Sequence, residues 1–247
     1  MKESLVILSG WAVDNFVWSP ITDFLSQDFQ TFIVDWDDVL SLREFKYRVM
    51  DLLKEKGINN FSLIGWSLGS LVALDIAKNC SSKLNNLILF SPTARFIQDE
   101  ESNYSRGWHK RVVERMIDML IKHPQRTLNN FYGNLFSDSE VKNGYYETFL
   151  RDLDKVRKEQ GIQSLSLGLE YLIHKDIRKD IKEIDISALL IHGDRDMICP
   201  VEAGEYIGDN LRKSKFILLK ETGHVPFYTN PDQCYKYIKN YISNKEG

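Results

Sequence analysis

Short runs of apolar, mostly branched residues recur at positions 5–8, 31–34, 61–64, 87–90, 188–191 and 216–219. Continuous runs of this length, without a polar residue at every second place, suit strands buried on both faces of a sheet. Between several of them the period lengthens. Leu42, Phe45, Val49, Leu52 and Leu53 fall on one face of a helix, and Gly57 follows as its stop. A helix between two strands returns the chain by a crossover rather than a hairpin, so the alternation predicts an α/β architecture: a mostly parallel sheet of about six strands with helices on both faces.

The alternation breaks between Thr93 and Glu183. About ninety residues of polar, aromatic and helical pattern without a convincing strand exceed what one crossover requires. The pattern predicts a helical cap, or lid, over residues 93–183, inserted into a core made of residues 1–92 and 184–247. Charge divides along similar lines: residues 95–182 are net +2 and the remainder net −5, within a formal total of −3. Positive residues gather at Arg106, Lys110, Arg111, Arg115, Lys122 and Arg126, against Glu114 and Asp118. Such a cluster is either a solvated helix face or a docking patch for an acidic partner.

The overall balance of −3 argues against a general nucleic-acid binder, which carries a strongly basic surface. With 43% hydrophobic residues in 247, the chain can bury a sizeable core. Its first apolar run is too short for a signal-peptide core or a membrane span, so the expectation is a cytoplasmic protein without a membrane partner. Cys80, Cys199 and Cys234 are odd in number and widely spaced, which predicts reduced thiols packed as small apolar residues. Neither a C-x-x-C pair nor H-E-x-x-H occurs, and no metal is expected.

Directly behind the third apolar run stands Gly65-Trp66-Ser67-Leu68-Gly69, a complete G-x-S-x-G, followed by the helical pattern of residues 71–77. A sharp strand-to-helix turn of this kind projects the serine hydroxyl while the glycines let neighbouring chain pass, so Ser67 is a candidate nucleophile. A serine hydroxyl needs a base, and the base a carboxylate that fixes its tautomer. Gly193-Asp194-Arg195-Asp196 follows the fifth run and Thr222-Gly223-His224 the sixth, at the strand ends where active-site groups of open α/β sheets collect. Asp196 is preferred as the acid, with Asp194 supporting the turn, and His224 as the base. His109, His123 and His174 lie in the polar stretch and read as surface residues, whereas His192 reads as packed or bonded locally. The order Ser, Asp, His is that of an α/β-hydrolase. In that architecture the oxyanion donors are the backbone N–H groups of Leu68, after the serine, and of Trp11, in the turn after the first strand.

With these residues assembled, the chain resembles the α/β-hydrolase superfamily and, within it, the pimeloyl-acyl-carrier-protein methyl ester esterases of biotin synthesis. The resemblance rests on residues 5–18 (LVILSGWAVDNFVW), 65–73 (GWSLGSLVA), Gln125-Arg126-Thr127, residues 168–172 (GLEYL) and residues 223–234 (GHVPFYTNPDQC). It implies a serine carboxylesterase that needs no metal or organic cofactor and cleaves the methyl ester of a pimeloyl chain borne by acyl-carrier protein. It also implies acyl-chain contacts from Phe131, Tyr132, Gly133, Asn134 and Leu135, and carrier-protein docking at Arg126, with Arg111 in the same basic cluster. The chain departs from the family pattern at Ser9, where histidine is usual, at residues 35–39 (DWDDV), which replace a Gly-rich loop, and at Asn130, where a second arginine is expected. Other readings of the same residues are a general esterase for small acyl esters, a lyase of the same fold, and a non-catalytic ligand-binding or partner-binding module.

Overall fold

The computed structural model describes residues 2–156 and 161–243. Met1, residues 157–160 and residues 244–247, which fall within the expected core and cap, lie outside the described residues. All six apolar runs are strands: β1 Glu3–Leu8, β2 Phe29–Val34, β3 Phe61–Trp66, β4 Leu84–Phe90, β5 Ala188–Gly193 and β6 Ser214–Leu219. They form one sheet in the order β2-β1-β3-β4-β5-β6, and every pairing is parallel. Burial on both faces is complete for β3 and β5. At the sheet edges β2 and β6 keep half-buried and exposed positions, because only one side of each is covered by a neighbouring strand.

The helices of the strand layer are α1 Ser19–Leu25, α2 Glu44–Glu55 and α3 Leu68–Cys80. From β1 the chain moves outward through α1 to β2, then back through α2 to β3 and onward through α3 to β4. Right-handed crossovers in opposite directions place α1 on one face and α2 and α3 on the other. Phe45, Val49 and Leu53 give α2 its buried stripe, and Gly57, at φ +64°, ends it in the left-handed conformation that a side chain resists. Helix α3 lies across β3 and β4 and is buried through most of its length.

Between β4 and β5 lie α4 Lys110–Lys122, α5 Pro124–Gly133, α6 Asp138–Lys142, α7 Tyr145–Val156 and α8 Ile162–His174. Beyond three isolated bridges, no strand occurs there among the described residues. The entry and exit of this stretch are clasped together. Arg95 donates to Asp176 at 2.5 Å, and Arg178 reaches both Asp176 at 2.7 Å and Asp99 at 2.6 Å. After β5 come α9 Val201–Asn210, α10 Pro226–Thr229 and α11 Pro231–Ser243, the last packed against α1. No described helix is long and apolar enough to cross a membrane.

One buried carboxylate joins the inserted helices to the sheet layer. Ser137 caps α6, and Glu140 answers by accepting from the Ser137 amide at 2.8 Å. The same carboxylate, in a residue only 4% exposed, also accepts from the Gly223 amide at 2.9 Å and the Thr229 hydroxyl at 2.6 Å. Removing it strands several buried donors at once. Glu140→Ala is expected to lower unfolding free energy by roughly 3 kcal/mol in urea titration, with Glu140→Gln intermediate; equal stability of all three proteins would show that Glu140 is not the joint.

Candidate active site

The order in which the chain adds strands reverses between β1 and β3, and open α/β sheets bind ligands beyond the carboxyl ends of strands at such a switch point. Ser9, Gly10 and Trp11 follow β1, and Ser67 follows β3. Ser67 sits at φ +54°, a strained value for a residue with a side chain. Its amide donates to the Phe90 carbonyl at 3.1 Å, and its own carbonyl accepts from the Ser70 hydroxyl at 2.5 Å. The flanking glycines have steric causes. A Cβ at Gly65 would lie 2.6 Å from the Gly69 carbonyl oxygen, and one at Gly69 would strike the carbonyls of Leu8 and Ser9. Leu68 opens α3, so its amide is among those with no acceptor inside the helix.

His224 is fully buried and its backbone N–H donates to the Leu135 carbonyl at 2.8 Å. Trp66, next to Ser67, donates from its indole to the His224 carbonyl at 2.8 Å. The imidazole Nδ1 lies 2.7 Å from Asp196 Oδ2, whereas Nε2 is buried without a partner among the described residues. A Cβ at Gly193 would collide with the carbonyls of Thr222 and Gly223, so glycine is required where the loops carrying Asp196 and His224 meet. Asp196 Oδ1 accepts from the amides of Ile198 at 2.8 Å and Cys199 at 2.9 Å. Burial works against the carboxylate, yet the facing His224 imidazole and the donors of His192 and His224 outweigh it and hold the group well below the usual carboxylate range. Asp194 makes a 3.6 Å ion pair with Lys220 instead. Burial pushes the Cys199 thiol well up, the Asp196 charge adds to this, and a hydrogen bond with the Ser67 side chain partly offsets it.

Ser67 lies at a cavity of about 350 Å³ between the sheet layer and the inserted helices. Its walls are largely apolar, with Trp11, Phe96, Trp108, Met116, Phe131 and Leu169 among them. Trp11 is fixed by an indole bond to the Leu165 carbonyl at 2.7 Å and by an edge contact with Phe131, ring centroids 4.7 Å apart. Gly168 in α8 leaves room for that indole, since a Cβ there would lie 2.6 Å from Trp11 Cδ1. Ser9, standing where histidine is usual, accepts from the Trp18 indole at 3.1 Å and donates to Asn15 at 3.2 Å. Asn15 continues to Asp35 at 3.0 Å, and the Trp36 indole donates to the Ser9 carbonyl at 2.7 Å. The variant loop at 35–39 therefore braces the turn that carries Trp11.

Of the five consecutive residues expected to touch the acyl chain, Phe131 and Asn134 line the cavity. Tyr132, Gly133 and Leu135 do not. Residues 124–133 form a helix, so the facing set is Arg126, Thr127, Asn130, Phe131 and Asn134, at helical rather than consecutive spacing. Tyr132 turns its hydroxyl to the Ala12 carbonyl at 3.0 Å, Gly133 is exposed, and Leu135 is buried beneath the His224 loop. On α4 the cavity meets Val112, Val113, Arg115, Met116 and Met119; Arg111, one turn earlier, is exposed and outside the lining. Among the described residues, Arg115 and Arg126 are the charged members of that lining. Cys80, Cys199 and Cys234 are free thiols, the last two buried and Cys80 half-buried. Among the described residues no cluster suits a metal ion.

A model described as the alpha/beta hydrolase fold matches residues 4–231, and the chain belongs to that family. Among curated proteins it is similar to the pimeloyl-acyl-carrier-protein methyl ester esterase of Nitrosomonas europaea, 28% identical over 93% of this chain and 91% of the relative. The esterase of the same name from Legionella pneumophila strain Paris is 28% identical over 96% and 94%. Among solved structures, an esterase from Exiguobacterium antarcticum superposes with a TM-score of 0.82 at 19% identity, covering 98% of this chain and 92% of that one. A hydrolase from Oleispira antarctica does so at 0.85 and 17%, covering 99% and 92%. At such identities the two structures speak for the fold alone.

The close approach at the serine turn sets a stability test. Gly69→Ala is expected to cost 3 kcal/mol or more, on the order of a severe overpacking, read by urea unfolding. A protein of unchanged stability would remove the steric account of the motif.

Proposed function

We propose that this protein is a serine carboxylesterase of the cytoplasm in which Ser67 is the nucleophile, His224 the general base and acid, and Asp196 the carboxylate that holds His224. The observation that carries the reading is the strained Ser67 turn at an apolar cavity, with a buried His224 bonded through Nδ1 to the Asp196 carboxylate. With Nδ1–H given to Asp196, the Nε2 lone pair is the end left to take the serine proton. Attack on the ester carbonyl then places negative charge on its oxygen, which the amides of Leu68 and Trp11 stabilise. His224 returns the proton to the leaving alcohol. Water, activated by the same histidine, cleaves the acyl-enzyme and frees Ser67.

The substrate we propose is the methyl ester of a pimeloyl chain carried on acyl-carrier protein, yielding methanol and the free acid on the carrier. The names of the curated relatives, matched over more than nine-tenths of both lengths, support this reading. So does the cavity: an apolar interior suits a methylene chain, and Arg115 and Arg126 suit an acidic carrier and its phosphodiester. In this account residues 93–183 act as a cap over a core of residues 1–92 and 184–247. Tyr132, Gly133 and Leu135 shape the cap without touching the chain, and Arg111 contributes to the outer basic field.

Two measurements separate the levels of the proposal. Ser67→Ala is expected to reduce turnover of a short p-nitrophenyl ester by roughly 10⁶-fold; near-normal turnover refutes the nucleophile. Arg115→Glu and Arg126→Glu are each expected to lower kcat/KM on methyl pimeloyl-carrier protein by about tenfold at low salt, the gap narrowing as salt is added. The small ester should be cleaved normally by both. Equal losses on both substrates would mean damage to the cap rather than loss of docking.

A further inference from the structure

We infer that His192 is a positioning residue, which through its Nε2–H holds the Asp196 carboxylate in the orientation that His224 requires. The inference rests on the triad reading above and adds a second imidazole to it. His192 closes β5, is fully buried, and places Nε2 2.9 Å from the Cys199 carbonyl oxygen and 3.3 Å from Asp196 Oδ2. Both neighbours are acceptors, so Nε2 carries a hydrogen and shares it between them; a bare lone pair there would face two others. The opposite nitrogen has no such company. Nδ1 is buried without a partner among the described residues, and Gly204 of α9 lies so close that a Cβ would come within 2.6 Å of it. The tautomer is therefore set by geometry, with the hydrogen on the side of Asp196.

The consequence is a carboxylate saturated with donors. Oδ1 receives the amides of Ile198 and Cys199, Oδ2 receives His224 Nδ1–H, and the His192 Nε2–H stands 3.3 Å from Oδ2 while bonding the Cys199 carbonyl. The His192 hydrogen reaches Asp196 and the carbonyl of Cys199, so it ties the carboxylate to the turn that presents it. Without that donor, Oδ2 depends on His224 alone, and the carboxylate gains freedom to rotate about its Cβ–Cγ bond. A proton arriving on His224 during ester cleavage then meets a less well-placed partner. The surrounding donors also favour the ionised form of Asp196, so the transferred proton stays on imidazole.

Two variants separate positioning from packing. His192→Phe keeps a ring of similar size and removes the donor, whereas His192→Gln keeps an N–H at similar reach. With a short p-nitrophenyl ester, His192→Phe is expected to lower kcat about 10- to 100-fold with KM little changed, and His192→Gln to recover most of that loss. Nitrogen-15 NMR of the unmodified protein is expected to show His192 protonated at Nε2 and bare at Nδ1. Full kcat in folded His192→Phe, equal loss in both variants, or the opposite tautomer each overturns the inference. Should His192→Phe fail to fold, the tautomer measured on the unmodified protein decides. Ser67→Ala run alongside keeps the two proposals apart: its inactivity beside a fully active His192→Phe sinks only the role of His192, whereas its activity sinks the triad and this inference together.

Discussion

The first turn of α3 passes so close to the end of β1 that the backbone of Gly69 touches the carbonyls of Leu8 and Ser9, and the rest of the site takes its position from that contact. The approach fixes the helix against the sheet, just after Ser67 in the left-handed region, and sets the start of α3 at Leu68. A strained serine persists only where its surroundings overdetermine it. Here β3 and β4 supply that support: Gly65 abuts Gly69 and Ser70, and the serine amide is tied to Phe90. The strain is thus borne by the most buried part of the fold, which can hold it without local flexibility.

The loop of His224 is held from a different direction. Residues 135–140 reach out of the inserted stretch and take its backbone at Glu221, Gly223 and His224, through the Ser137 hydroxyl, the Glu140 carboxylate and the Leu135 carbonyl. The segment that covers the site therefore also fixes its histidine.

Much of this was legible in the sequence because it is written locally. Six apolar runs are six strands, and the turn residues at 65–69, 193–196 and 222–224 lie at strand ends, where the sheet itself gathers them. What the sequence hid depends on phase and on distant contacts. Residues 131–135 read as one consecutive segment, but a helix presents only every third or fourth residue to a cavity, so Arg126, Asn130 and Asn134 line it with Phe131 while Tyr132, Gly133 and Leu135 do not. The same phase selects Arg115 over Arg111. Nothing near Glu140 in the chain announces its bond to Gly223, 83 positions away. His192 reads as a strand residue with local bonds, which it is, yet its meaning comes from sharing Asp196 with His224.

The placement of charge completes the argument for how chemistry and selectivity are divided. Asp196 is sealed between two imidazoles and two amides, where its field reaches His224 and is hidden from the cavity. Among the described residues the cavity lining offers two arginines and no acid. Those arginines lie on exposed helix faces of α4 and α5, in high dielectric, where each favours encounter and orientation more than deep affinity. On the proposed reading, interior charge serves bond cleavage and peripheral charge serves recognition. The two sets sit on separate segments, Asp196 in the loop after β5 and the arginines on α4 and α5, so a change confined to those two helices leaves the partners of Asp196 in place.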